Sequence, residues 1–208
     1  MSTAMSARRA EIHAWRIRMT AVPAAPAEAR GHVRAAVCAW RIPVNVDTAV
    51  LLTSELVTNT IPAAPGQAIT LTVACNRSRL RIEVHDSAPA MPEPAAAPAD
   101  ADGGRGLILV AALAAEWGFY RTLTGKAVYF TLAFERLVRV LTVVAEGGGD
   151  WDARWIDITV DSRYGPGTGT VLEELQALQR VGLVVRDDSR SGVGGRWNVT
   201  AAARPYIR

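Results

Sequence analysis

The strongest constraint on the fold is a pair of alternating segments near the middle of the chain. Ile69, Leu71, Val73 and Cys75 alternate with Thr70, Thr72 and Ala74, and Leu80, Ile82 and Val84 alternate with Arg81 and Glu83. A period of two places each apolar set on one face of an extended strand. The link Asn76-Arg77-Ser78-Arg79 is hairpin-like, so the two strands are expected to pair antiparallel.

Helical patterns precede this pair. Residues 26–41 read as a helix with Val33, Val37 and Trp40 on one stripe, ended by Pro43. Asn45 or Asp47 caps a second helix running to about Thr60, with Val46, Ala49, Val50, Thr53, Leu56 and Val57 toward the core. Pro62 discourages its continuation. After the strands the pattern collapses. In residues 87–102, 11 of 16 positions are Pro or Ala with no periodicity, which predicts a mobile loop. It ends at Gly103-Gly104-Arg105-Gly106, after which residues 107–117 read as a buried helix. Residues 127–134 read as a strand with Val128, Phe130, Leu132 and Phe134 on one face.

The last third differs. Residues 136–146, 151–161 and 171–181 read as helices, broken by Gly147-Gly148-Gly149 and by Gly165 to Thr170. Leu183-Val184-Val185 and Arg196-Trp197-Asn198-Val199 then read as strands around a polar, Gly-rich turn. Three helices and a hairpin is the order of a winged helix-turn-helix. No internal repeat is visible.

Composition narrows the class. Half of the 208 residues are hydrophobic and 21% charged, which excludes wholesale disorder. Cys38 and Cys75, without metal or redox spacing, read as buried thiols of a cytoplasmic protein. The N-terminal segment lacks an apolar secretory core, and the longest apolar run, Leu107 to Ala115, is far below the ~20 residues of a membrane span. No membrane partner is expected. The basic residues are 22 arginines and a single lysine, Lys126, a ratio read mainly as the codon bias of a GC-rich genome.

Three constellations carry chemistry. Glu55 and Asn59 are four apart, so on a helix they share a face with Cβ atoms about 6 Å apart. A carboxylate can deprotonate or orient a nucleophile, and an amide oxygen can ligate Mg²⁺. Asp86 stands where a strand gives way to the loop, placed to accept a hydrogen bond from an exocyclic amine such as that of adenine. Gly103-Gly104-Arg105-Gly106 opens a helix, where backbone N–H groups favour phosphate. It is neither a P-loop nor a Rossmann fingerprint.

In this order and spacing the chain resembles the GHKL superfamily, and within it the small histidine-kinase-like ATP-binding proteins of the anti-sigma-factor serine kinase type, abundant in actinomycetes. The matching stretches are Ser54-Glu55-Leu56-Val57-Thr58-Asn59, His85-Asp86-Ser87-Ala88-Pro89, Gly104-Arg105-Gly106-Leu107-Ile108-Leu109-Val110, and Trp117-Gly118 through Gly125-Lys126-Ala127-Val128-Tyr129. The resemblance implies an α+β fold, a GHKL-type α/β sandwich with a mixed sheet and helices on one face, over residues 1–135. The winged-helix-like segment follows over 136–208.

The resemblance also implies roles. Glu55 is expected to be the catalytic carboxylate and Asn59 the Mg²⁺ ligand. Asp86 is expected to read the adenine amine, supported by Thr131 on the adjacent strand. Gly104, Arg105, Gly106 and Leu107 are expected to hold ATP phosphates under a lid of residues 87–103, with Lys126 as a further phosphate contact. One departure is Thr60-Ile61-Pro62-Ala63-Ala64, which stands where the family continues with Ala and then a His or Arg-His pair. The expected helix therefore stops early and the contacts of that basic pair are lost.

Residues 137–208 hold nine Arg against nine Asp and Glu, whereas a DNA-binding face is usually basic. Arg163, Arg190 and Arg196 are the candidates for DNA contact, opposed by Glu173 and Glu174 on the presumed recognition helix. The expected protein is a cytoplasmic, ATP–Mg²⁺-binding regulator. It acts in transcription control through a sigma-like or anti-anti-sigma-like protein partner, by serine/threonine phosphorylation or by sequestration. The alternative is a non-catalytic ATP-dependent switch whose winged helix binds DNA. Both leave a homodimer open.

Overall fold

The computed structural model describes residues 11–90, 105–167, 169–189 and 195–207. The chain divides into two compact units, Met1–Trp40 with Val44–Ala133, and Arg41–Pro43 with Phe134–Arg208.

The first unit runs β1 (His13–Thr20), α1 (Ala25–Ala39), α2 (Val46–Ala63), β2 (Ala68–Cys75), β3 (Arg79–Asp86), α3 (Arg105–Leu113), β4 (Glu116–Thr122) and β5 (Gly125–Ala133). The strands form one sheet in the order β1-β2-β3-β5-β4. The expected hairpin is β2–β3, with Leu71 opposite Val84 and Val73 opposite Ile82. The tight link is held by Asn76, whose Oδ1 accepts from the Ser78 and Arg79 amides at 2.9 and 2.8 Å.

The α+β character is as expected. The resemblance implied a mixed sheet, and each of the four pairings seen here is antiparallel. β4 runs in the direction of β3, but β5 lies between them.

Alternation gives the sheet two unlike faces. Ile69, Leu71, Val73, Leu80, Ile82, Val84 and Phe130 are buried on one, and α1 and α2 pack there through Val33, Val37, Leu52, Leu56 and Val57. Burying a side chain of this size stabilises by about 1.5–3 kcal/mol. The opposite face carries Arg81, Glu83, His85, Tyr129 and Thr131.

Four expectations change. β1 was not foreseen, although Trp15, Ile17 and Met19 alternate with Arg16 and Arg18. Helix α2 does not stop near Thr60: it continues through Pro62 to Ala63, with the Ala64 amide bonded to Thr60 O. Burial of Thr60 and Ala64 outweighs the backbone bond that a proline forfeits. The helix expected over 107–117 ends at Leu113, because the Ala115 amide is taken by Thr131 O of β5 and the chain enters β4. Of the two cysteines, Cys75 is buried but Cys38 is exposed.

The second unit runs α4 (Glu135–Glu146), α5 (Ala153–Tyr164), α6 (Val171–Arg180), β6 (Val184–Asp187) and β7 (Arg196–Val199), with β6 and β7 antiparallel. Phe134, expected to end a strand, is the N-cap of α4 and meets Tyr206 edge-on at 6.0 Å. Thr170 and Glu173 form a reciprocal capping box at the start of α6. Arg136 ties the helices together, donating to Glu174 Oε1 at 2.6 Å, Gly165 O at 2.9 Å and Asp161 Oδ1 at 3.3 Å. Among the described residues no helix is long and apolar enough to cross a membrane.

Candidate functional site

Helix α2 begins at Asn45, whose side chain accepts from the Thr48 amide at 2.9 Å. Its apolar stripe is turned to the sheet, which fixes the rotation of the helix. Glu55 is half-buried and Asn59 exposed on the flank of that stripe. The start of α3 comes against this flank. A Cβ at Gly106 would lie 2.6 Å from Glu55 Oε2 and 3.5 Å from Asn59 Nδ2, so only a glycine fits without displacement. The structure thus brings Glu55, Asn59 and Gly106 together, with half-buried Leu107 one residue further on. Gly104, the Arg105 side chain, Arg190 and residues 91–104 of the expected lid lie outside the described residues.

Asp86 ends β3 on the helix-covered face, and its side chain is 1% exposed. Its Oδ1 accepts from the Ala88 amide at 2.9 Å and from Lys126 Nζ at 2.9 Å. Its Oδ2 is buried and, among the described residues, has no hydrogen-bond partner. An unmet buried acceptor carries a desolvation cost of about 1–3 kcal/mol that a donor would recover. This oxygen fits a ligand amine.

Two expected placements need correction. Lys126, expected at the phosphates, is instead buried opposite Asp86 in the β3–β5 register and paired with it. Thr131, expected to support Asp86, stands opposite Arg81, five residues along β5 or about 17 Å at ~3.4 Å per residue. It also faces the other side of the sheet, with its hydroxyl 3.5 Å from Glu116 O. The register responsible is set at the β4–β5 turn. There Gly125 has φ +154°, and a Cβ would fall 2.0 Å from Asp86 O.

On the other face, Glu83 is fully engaged. Arg81 donates to Oε2 at 2.7 and 3.2 Å, and Tyr120 donates to Oε1 at 2.8 Å, where His85 Nε2 also bonds. The Arg81 guanidinium lies 3.5 Å from the centre of the Tyr129 ring. Burial pushes the Glu83 carboxyl up, but the hydrogen bonds from Arg81, Tyr120 and His85 and the Arg81 charge outweigh it and hold it below its ordinary 4.5. Sequence reasoning passed over this cluster; the charged residues alternating along β3 were its signal.

No group of three or more His, Cys, Asp or Glu able to hold a metal occurs among the described residues. Mg²⁺, however, often takes only one or two protein ligands with substrate phosphates. The Asn59 amide beside the Glu55 carboxylate suits that donor set. In the second unit, Arg163 pairs with Glu146 at 2.7 Å and Arg196 donates to Asp150 O, so neither is uncommitted for a nucleic-acid backbone.

A comparison with curated proteins finds none that matches. A family model described as the histidine kinase-like ATPase domain matches residues 19–132, which include Glu55, Asn59, Asp86, Gly106 and Lys126. The chain belongs to the histidine kinase-like ATPase family and carries its ATP-binding domain.

Proposed function

We propose that the protein binds ATP with Mg²⁺ and phosphorylates a serine or threonine of a protein partner in transcription control, as anti-sigma-factor serine kinases do. The observation that carries the reading is the approach of Gly106 to Glu55 and Asn59, which brings the start of α3 against the polar flank of α2, where a Cβ would meet Glu55 Oε2 at 2.6 Å. Phosphoryl transfer depends mainly on positioning and charge neutralisation. Glu55 accepts the proton of the attacking hydroxyl. Asn59 holds Mg²⁺, which when bound neutralises charge on the phosphates. Backbone N–H groups from Gly104 to Leu107 take phosphate oxygens, and Asp86 Oδ2 accepts from the adenine amine. A sigma-like or anti-anti-sigma-like protein is the class of partner the resemblance supports.

Titration calorimetry with ATP and Mg²⁺ tests the site. Asn59→Ala and Asp86→Ala should each weaken binding at least about 10-fold, the loss expected for one charge-assisted contact; binding as tight as wild type overturns the assignment. Incubation with γ-labelled ATP and candidate partners tests the transfer. Label on the partner that disappears in Glu55→Ala supports the kinase. A partner that binds but is never labelled overturns it in favour of sequestration. Nucleotide-dependent, salt-sensitive retention of DNA without label would favour a switch.

A further inference from the structure

Lys126 is the chain's single lysine, and the structure buries it. Its side chain is 7% exposed, its Nζ lies 2.9 Å from Asp86 Oδ1, and the two residues face each other across β3 and β5. Removing an ammonium and a carboxylate from water is expensive, and their attraction offsets the cost only when the remaining hydrogen-bonding capacity is also used. Here it is not. Oδ1 accepts twice, from Lys126 and from the Ala88 amide, while Oδ2 accepts from nothing among the described residues. An ammonium has three N–H donors, and among the described residues Asp86 is the partner that Lys126 donates to. An unused acceptor and unused donors therefore stand side by side at the end of β3.

The pair is formally neutral, so it does not suit a phosphate, which would meet the Asp86 carboxylate. It suits an uncharged edge that offers a donor and an acceptor on neighbouring atoms. Adenine presents such an edge in its amino group and the adjacent ring nitrogen N1. We propose that Lys126 is a base-reading residue: its ammonium donates to N1 of adenine while Asp86 Oδ2 accepts from the amino group. Base selection then belongs to the pair and not to the carboxylate alone. The inference rests on the nucleotide-binding reading above and adds to it a second contact from a residue expected to serve the phosphates.

The test uses the full-length protein and calorimetric titration with ATP, GTP and 1-deaza-ATP, in which N1 is replaced by a C–H group. Wild type should prefer ATP over 1-deaza-ATP by roughly 10- to 100-fold, the range for a hydrogen bond to a charged donor. In Lys126→Met the two ligands should bind within about 2-fold of each other, and Lys126→Gln, which keeps a donor, should restore part of the preference. Equal binding of ATP and 1-deaza-ATP by wild type would overturn the proposal, and so would an undiminished preference in Lys126→Met. GTP bound as tightly as ATP would overturn the choice of adenine. If Lys126→Met fails to fold, the wild-type comparison and Lys126→Gln still decide. Failure of wild type to bind any of the three ligands is a different result, since it rejects the nucleotide-binding reading itself.

Discussion

Strand β3 carries two buried carboxylates, Glu83 and Asp86, three residues apart and on opposite faces of the sheet. Glu83 has both oxygens engaged, by Arg81 on one and by Tyr120 and His85 on the other. Asp86 loads two donors onto Oδ1 and, among the described residues, leaves Oδ2 bare. Burial alone therefore says little about what a carboxylate is for. A group whose bonds all close within the protein stabilises the fold, whereas one that stays half-used retains capacity for something that arrives later.

The sharpest way to break this contrast is to remove each carboxylate in turn. Asp86→Ala strands the buried Lys126 ammonium and should cost about 3–5 kcal/mol in urea unfolding, together with the loss of ATP binding. Glu83→Ala removes the partner of groups that remain partly wet, so a smaller loss of about 1–3 kcal/mol is expected with ATP affinity unchanged. A fall in ATP affinity in Glu83→Ala would show that the two faces are not independent. Gly106→Ala probes the site without touching either carboxylate. Its methyl group would meet the movable end of the Glu55 side chain and displace it, so the fold should change by no more than about 1 kcal/mol while ATP binding weakens.

The smallest effect is one of pH. Because Glu83 titrates lower in the folded protein than when unfolded, its stabilisation is full above its ordinary 4.5 and fades as pH falls through the folded value. In that acid range the unfolded chain binds more protons. Thermal melts from pH 6 to pH 3 should therefore fall more steeply in wild type than in Glu83→Gln; parallel curves would remove Glu83 from the account.

Much of the first unit was legible because alternation is a local signal. The β2–β3 hairpin, the stripe of α2 and the four-residue spacing of Glu55 and Asn59 follow from neighbours in sequence. What escaped depends on partners far along the chain. Ala114 and Ala115 favour helix, yet the Ala115 amide is recruited by Thr131 O, and β4 begins where a helix was expected. Trp117 and Phe119 alternate with Gly118 and Tyr120, a pattern too mixed in polarity to declare a strand. The meeting of Lys126 with Asp86, and the displacement of Thr131 from it, are matters of register between strands 40 residues apart. A shift of one residue would have turned every side chain of β5 to the other face. Nothing in the local sequence around Lys126 announces the residue it meets.

That register has a marker simple enough to look for elsewhere. Gly125 precedes Lys126 and crosses the end of β3 so closely that any larger residue would collide with the Asp86 carbonyl and shift the backbone that carries its carboxylate. The dipeptide Gly125-Lys126 is therefore a single structural unit. A related chain that keeps the lysine but replaces the glycine should have lost the pairing.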